Sequence, residues 1–308
     1  MELRKMYVAE LSRLMKQNDK IVILDADLAG AVGTKPLYAE FPDRCIDCGI
    51  AEANMACIAA GLSAQGFVPF IHSFAPFIAR RAFDQIAVSM CYSEQNVRLV
   101  GTDPGVTTTT NGGTHMCFED IAALRGLCNV AVLDIVDGVQ LVKALPYIVE
   151  HQGPMYLRFA RKQGETYFDD NYTFTFGKAD RIKSGSDITI ISSGATLFDA
   201  LKAYDTLKAQ GIKADLLSVH TVKPLDEKAI IASAKKTGRV LTVENHSIHG
   251  GLYSAVCETL SAKCPTLCDA VAVRDKITQV GDLDDLKRDY GLTANDIVKR
   301  AKALIKSK

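Results

Sequence analysis

The sequence lacks an excess of charge of either sign and lacks any long apolar run. Its 36 basic and 36 acidic residues give a formal net charge of zero, which gives no support for a surface that binds nucleic acid or another polyanion. No run approaches the roughly 18 apolar residues needed to span a membrane. The charged, amphipathic start of the chain also lacks the apolar core of a signal peptide. We therefore expect a cytoplasmic protein whose partners are small molecules or other subunits, without nucleic acid or membrane.

Glycine-rich phosphate-binding motifs are missing as well. Neither half of the chain has a G-x-G-x-x-G after its first predicted strand, and there is no P-loop sequence. In the usual nucleotide-binding folds these glycines let the backbone approach the phosphates closely. An ordinary nucleotide-binding function is thus weakly supported.

Cysteine is present, in a pattern that argues against a disulfide framework. The nine cysteines are scattered, and an odd number in a chain without a secretion signal indicates reduced thiols. Cys45 and Cys48 form a C-x-x-C, and three residues separate Cys264 from Cys268. A zinc site or a redox pair at either place is an alternative to simple packing.

Short β-branched runs alternate with longer alanine-rich stretches, a pattern that indicates parallel sheets covered by helices. The predicted strands are 20–28, 67–74, 96–103, 130–135, 155–160, 187–194, 213–220, 239–245 and 269–275. The predicted helices are 1–20, 52–64, 77–91, 118–128, 138–151, 197–210, 227–237 and 251–262. We predict an α/β protein of two domains, 1–165 and 187–308, each a mostly parallel sheet covered by helices. The polar segment 166–186 is predicted to be a linker on the surface of a neighbouring domain.

A single carboxylate stands out in an apolar region. From Gly49 through Ala79 the only formally charged residue is Glu52. An unpaired buried carboxylate is costly, so Glu52 is expected to be hydrogen-bonded, protonated or functional. It could equally be a first-turn glutamate favoured by the helix dipole, a paired core carboxylate or a residue at an exposed helix start.

Four motifs occur in the order and at roughly the spacings found in transketolases. They are "GIAEANM", the aromatic pair in "HSFAPF", the glycine-flanked histidine in "NGGTHM" and the arginine in "RFARKQ", and a second α/β series begins with "ITIISSGAT". The resemblance covers essentially the whole chain but only the C-terminal half of such an enzyme. It implies a pyrimidine-binding domain at 1–165 and a transketolase C-terminal domain at 187–308. The chain resembles the second subunit of a split transketolase.

The resemblance implies roles for three of these residues in binding thiamine diphosphate. Glu52 would bind N1′ of the aminopyrimidine, and a carboxyl group in a dry apolar pocket can share a proton with that nitrogen strongly. Phe74 and Phe77 match the rings that lie against the aminopyrimidine. Without Glu52 upstream, the two phenylalanines would read as core residues at positions i and i+3.

Two further residues match the part of the family site that faces the sugar. His115 resembles the histidine near the C1 and C2 oxygens, where an imidazole can donate to or accept from an oxygen whose charge changes. Arg161 matches the arginine that binds the anionic tail of the sugar. A salt bridge in the linker is the alternative for Arg161.

The chain departs from the family at four positions. Asn111 lies four residues before His115, where an Asp is usual, and Asp103 stands where a histidine is frequent. Ala31 replaces a frequent phosphate-binding serine, and Arg80 replaces a frequent aromatic residue beside the pyrimidine. Since Asn111, Asp103, His115 and Arg161 are the expected substrate residues, these changes suggest an unusual anionic sugar, with a phosphate or a sulfonate tail.

The motif that holds the diphosphate is absent. In thiamine-diphosphate enzymes Mg²⁺ is held by a G-D-G followed roughly thirty residues later by an Asn, and no such pair occurs here. We therefore expect Mg²⁺ ligands from an N-terminal-type partner subunit, in a heterotetramer of two copies of each chain. We also expect the isolated chain to self-associate. The alternatives are the β subunit of a 2-oxo-acid dehydrogenase, a 1-deoxyxylulose-5-phosphate synthase-like enzyme or a non-catalytic partner subunit.

Overall fold

The computed structural model describes residues 1–276 and 279–307, which form two compact units. The first unit contains Met1–Pro104 and Ala123–Phe176, and the second contains Gly105–Ala122 and the chain from Gly177 onward. The segment 105–122 therefore belongs to the second unit although it interrupts the first in sequence. In the part of the chain described, no helix is long and apolar enough to cross a membrane.

The α-helices are α1 (Leu3–Gln17), α2 (Ala29–Val32), α3 (Lys35–Glu40), α4 (Glu52–Ala64), α5 (Phe83–Gln85), α6 (Asp120–Arg125), α7 (Gly138–Glu150), α8 (Thr196–Ala209), α9 (Glu227–Thr237), α10 (Leu252–Lys263), α11 (Leu283–Tyr290) and α12 (Ala294–Lys306). Two π-helical turns span Phe77–Arg81 and Ile86–Tyr92, and two 3₁₀ segments span Pro42–Arg44 and Gly105–Asn111.

The strands are β1 (Ile21–Asp25), β2 (Cys45–Asp47), β3 (Val68–Phe74), β4 (Arg98–Thr102), β5 (Ala131–Asp134), β6 (Met155–Phe159), β7 (Asp180–Lys183), β8 (Ile188–Ser192), β9 (Ala214–Ser218), β10 (Thr221–Lys223), β11 (Arg239–Ser247) and β12 (Leu267–Val273).

The first unit is built on parallel strands in the order β5-β6-β4-β3-β1-β2. All five residues of β1 are buried, as expected for a strand covered by helices on both faces. The buried side chains of α1, Leu3, Tyr7, Leu11 and Leu14, recur every three or four residues and pack into the core of this unit. Each fully buried leucine of this kind contributes about 1.5–3 kcal/mol.

The second unit contains a sheet in the order β12-β11-β8-β9-β7. Its strands are parallel except β7, which runs antiparallel to β9. The prediction of two mostly parallel sheets covered by helices is confirmed. The core of this unit includes Ile191, Leu217, Val240 and Val256.

The structure differs from the predicted elements in several places, and β2, β10, α2, α3, α11 and α12 were not among the predicted strands and helices. The predicted helix 77–91 consists of the two π turns with α5 between them, and the predicted helix 118–128 is shortened to α6. The predicted linker 166–186 contains β7, which pairs in the second sheet. Earlier in the same segment, the backbone N–H groups of Tyr167 and Phe168 donate to Asp137 of the first unit, at 2.8 and 3.0 Å. The predicted domain boundaries themselves stay a prediction.

Candidate functional site

Glu52 is the first residue of α4, and its carboxylate is buried. The residue is 3% exposed, in a helix whose other buried residues are Met55, Ala56, Ala59, Ala60 and Ser63. The hydroxyl of Ser73, near the end of β3, donates to Oε1 at 3.3 Å. Arg81 Nη1 donates to Oε1 at 3.0 Å and to Oε2 at 3.1 Å. The buried carboxylate predicted from the sequence is therefore both hydrogen-bonded and paired with a cation.

Two phenylalanines adjoin the residues that contact this carboxylate. Phe74 ends β3 and is buried, and Phe77 begins the first π turn. Their ring centroids are 6.0 Å apart with an interplanar angle of 62°, a favourable edge-to-face arrangement. The guanidinium carbon of Arg81 lies 3.8 Å from the centroid of Phe77. The site thus has flat aromatic faces close to a buried carboxylate.

Asp103 and Arg161 form a buried ion pair at the ends of β4 and β6. The backbone N–H of Arg161 donates to Asp103 Oδ1 at 3.0 Å, and its Nε donates to Oδ2. Arg161 Nη1 donates to the carbonyl oxygen of Ala31 at 2.8 Å, and its guanidinium carbon lies 4.8 Å from the centroid of Phe74. Burial raises the pKa of Asp103, and the adjacent Arg161 opposes that rise. Three positions that the sequence marked separately, 31, 103 and 161, are therefore in contact.

Asn111 and His115 lie in the second compact unit, in the segment 105–122. Asn111 is exposed at the end of a 3₁₀ segment, and His115 is partly buried. The backbone N–H of His115 donates to Gly112 O at 3.0 Å, and its Nδ1 is hydrogen-bonded to Thr114 Oγ1 at 2.9 Å. Thr108 Oγ1 donates to the carbonyl oxygen of His115 at 3.1 Å. Backbone and side-chain bonds therefore fix the position of this imidazole.

Asn245 binds the beginning of the segment 105–122. It was not identified from the sequence as a residue of the site. Its Oδ1 accepts from the backbone N–H of Val106 at 3.0 Å. Gly105 has a φ of +56° and no room for a side chain, since an added Cβ would lie 2.1 Å from Asn245 Oδ1. The sequence did contain a sign of this role, since Asn245 ends the predicted strand 239–245. Polar groups at the carboxyl ends of parallel strands often belong to a binding site.

The Cys45–Cys48 pair gives no support for a reactive thiol pair. Burial raises the pKa of Cys45 to about 11, and burial with nearby carboxylates also raises the pKa of Cys48. In the second cluster Cys268 is hydrogen-bonded to Cys257, and this bond lowers the pKa of Cys257 to about 7. Cys268 Sγ donates to the carbonyl oxygen of Thr266 at 3.2 Å, and Cys264 is partly buried. In residues 1–276 and 279–307 no cysteine forms a disulfide, and no three His, Cys, Asp or Glu side chains are grouped to hold a metal ion.

The two α/β units each match a domain family of transketolases, which are thiamine-diphosphate-dependent enzymes. Residues 1–165 match the family described as "Transketolase, pyrimidine binding domain", and residues 177–297 match "Transketolase, C-terminal domain". The chain belongs to the transketolase family, which confirms the resemblance seen in the sequence.

Similar proteins include subunits of transketolases made of more than one chain. The chain is 46% identical over 299 residues, 97% of its length and 93% of the relative's, to "6-deoxy-6-sulfo-D-fructose transketolase subunit SqwH" of Clostridium sp. (strain MSTE9). It is 34% identical over 304 residues, 98% of its length and 97% of the relative's, to one of the subunits of the "Apulose-4-phosphate transketolase" of Phocaeicola vulgatus. A solved structure described as "Split gene transketolase, inactive beta4 tetramer" is 37% identical, with a TM-score of 0.90 over 99% of this chain and 98% of that one.

Proposed function

We propose that this chain is the pyrimidine-binding subunit of a two-subunit transketolase that moves a two-carbon ketol unit from an anionic ketose to an aldose. The observation that carries the proposal is the buried carboxylate of Glu52 at the start of α4, which Arg81 links to the ring of Phe77. A dry carboxylate next to flat aromatic faces suits a heteroaromatic ring with a nitrogen that must exchange a proton.

The residues fit the aminopyrimidine half of thiamine diphosphate. When bound, this cofactor supplies a carbon nucleophile at C2 of its thiazolium ring. Glu52 would share a proton with the ring nitrogen N1′, and the apolar side chains along α4 would keep water from the carboxylate. Phe74 and Phe77 would hold the ring by its faces.

We further propose that Mg²⁺ and the diphosphate are held by a partner subunit of the N-terminal transketolase type. The missing G-D-G motif supports this division, as does the naming of both relatives as subunits. A cation that binds diphosphate needs carboxylate, amide or carbonyl oxygen ligands in fixed positions. We propose that the two kinds of subunit form the heterotetramer expected from the sequence, with two copies of each. A cytoplasmic location is proposed with it, since the nine cysteines form no disulfide.

The substrate is proposed to be a small sugar with an anionic tail. His115 and Asn111 would face the reacting end of the sugar, and Asp103 with Arg161 would lie at the tail. Because Arg161 already uses Nε and Nη1 within the chain, a tail oxygen would meet Nη2. The relative named for a 6-deoxy-6-sulfo-sugar supports a sulfonate as one such tail.

The proposal is tested by reconstitution. The chain is mixed with its diphosphate-binding partner, thiamine diphosphate and Mg²⁺, and ketol transfer is measured from a 6-sulfo-ketose and from a phosphorylated ketose to a common aldose. Each component is omitted in turn. Activity that needs both chains, the cofactor and Mg²⁺ supports the proposal. Calorimetry on the isolated chain should show no Mg²⁺-dependent binding of thiamine diphosphate, and tight binding there would contradict the division of the site.

A further inference from the structure

Arg81 is an exposed arginine that reaches into a buried site. It is the last residue of the π turn Phe77–Arg81, and 46% of its side chain is exposed, whereas the side chain of Glu52 is 2% exposed. Its Nη1 nevertheless contacts both oxygens of the Glu52 carboxylate, at 3.0 and 3.1 Å. One half-exposed cation therefore neutralises the buried carboxylate.

The same guanidinium covers an aromatic ring of the site. Its central carbon lies 3.8 Å from the centroid of Phe77, within the range of a stacked cation–π contact. Arg81 is thus a flat, cationic group that donates N–H bonds to Glu52 while lying against Phe77. These are the two contacts that the proposed function gives to the aminopyrimidine ring.

We propose that Arg81 is an internal competitor for the pyrimidine pocket, a side chain that must leave Glu52 before thiamine diphosphate can bind. The inference rests on the proposed function. A carboxylate has few good directions in which to accept bonds, and two flat groups cannot lie on the same ring face and bind the same oxygens. Binding therefore requires Arg81 to give up both contacts.

When the cofactor displaces Arg81 from Glu52, Arg81 is the residue that moves. Arg81 has a long stem that is already half in solvent, so its head can move into water at little cost. Glu52, by contrast, is buried and cannot follow it. The Nη1 group of Arg81 donates to both oxygens of Glu52, at 3.0 and 3.1 Å, so neither oxygen is open to a ring nitrogen while this contact persists. Arg81 thus keeps the buried charge paired and lowers the apparent affinity for cofactor.

The test is a calorimetric titration of thiamine diphosphate, at fixed Mg²⁺, into the complex of this chain with its partner. Arg81→Gln should bind the cofactor more tightly than wild type, by about fivefold for a half-exposed ion pair of ordinary strength. Arg13→Gln is the matched control, because Arg13 is 49% exposed and paired with Glu10 on α1. It should leave the affinity unchanged.

Glu52→Gln supplies the second arm of the experiment. If Arg81 acts by competing for the carboxylate, Arg81→Gln should bring much less gain in a Glu52→Gln background. An equal gain in both backgrounds, or equal or weaker binding by Arg81→Gln, would overturn the inference while wild-type binding still supports the proposed function.

If Arg81→Gln lowers the melting temperature of the complex, Arg81→Lys replaces it. Lysine keeps the charge without the flat fork, so the Arg81→Lys complex should also bind thiamine diphosphate more tightly than wild type. A wild-type complex that binds no thiamine diphosphate would refute the proposed function and the inference with it.

Discussion

The backbone and the side chain of Arg161 both donate to the carboxylate of Asp103. The N–H of Arg161 binds Oδ1 at 3.0 Å while Nε binds Oδ2, and both side chains are buried, 10% and 5% exposed. A residue expected to bind the sugar's tail is therefore also half of an internal ion pair. Substitution of Arg161 should change two properties at once.

Arg161→Ala should raise KM for anionic donors more than it lowers kcat, because it removes a contact far from the reacting atoms. It should also destabilise the fold by about 3–5 kcal/mol, since Asp103 would stay buried without its partner. The double variant Asp103→Asn/Arg161→Met should recover stability without recovering KM. Steady-state kinetics and urea unfolding measure the two effects separately. Recovery of both in the double variant would show that Arg161 has only a structural role.

His115→Ala should lower kcat by about 10²-fold or more, because a group that exchanges hydrogen bonds with the reacting oxygens is lost. KM should change less. His249→Ala is the control, since His249 is an exposed histidine of the same unit. A large rise in KM with kcat unchanged would place His115 at the tail of the sugar instead.

Glu52→Gln should abolish activity of the reconstituted complex with little loss of folding, because an amide has nearly the same volume but cannot share a proton with N1′. Glu40→Gln, at an exposed glutamate that pairs with Lys16, should be fully active. Turnover and thermal melting are measured on both. Retention by Glu52→Gln of more than about a tenth of wild-type turnover would contradict the role assigned to it.

The isolated chain should self-associate through the outer face of α4. This face carries Asn54, Cys57 and Gly61, without charge, and the nearby Ile50 is 74% exposed. Uncharged exposed surface of this kind favours association. Light scattering should show dimers or larger species, and Cys57→Arg should shift them to monomers while Cys128→Arg, at another exposed cysteine, should not. A monodisperse wild-type monomer that ignores the partner would contradict the proposed assembly.

The second unit should lose stability as the pH falls from about 6.5 to about 4. Burial lowers the pKa of His220 to about 4, whereas an unfolded histidine has a pKa near 6.5. In this window the unfolded chain binds a proton that the folded chain does not, so the free energy of unfolding falls by up to about 3 kcal/mol. His220→Asn should reduce this slope in urea unfolding curves recorded across the window. An identical slope in both proteins would exclude His220 as the source.

The sequence predicted the sheets well because their strands are short runs of β-branched residues. The run 20–28 contains β1, and the helix predicted at 52–64 coincides with α4. The π turns at Phe77–Arg81 and Ile86–Tyr92 could not be predicted, since residue propensities do not separate them from an α-helix. β7 was missed because a four-residue strand in a polar segment has no clear alternation.

The site was predicted less completely than the fold. Glu52 was conspicuous as the one charge between Gly49 and Ala79, but its partner Arg81 lies just beyond that stretch. Asn245 and Val106 are hydrogen-bonded although they are 139 positions apart in the sequence. Arg161 and Ala31 are hydrogen-bonded although they are 130 positions apart. Local patterns carry no information about such pairs, which depend on how the strands are ordered in the sheet.

The allocation of residues 105–122 to the second unit has a consequence for gene engineering. A protein cut at the polar segment near residue 176 would leave Gly105 and Val106 in one fragment and Asn245 in the other. Neither fragment would then be a self-sufficient building block, so exchanging C-terminal halves between related enzymes at that junction should yield poorly folded chimaeras. A functional hybrid would need residues 105–122 to be transplanted together with the half that supplies Asn245.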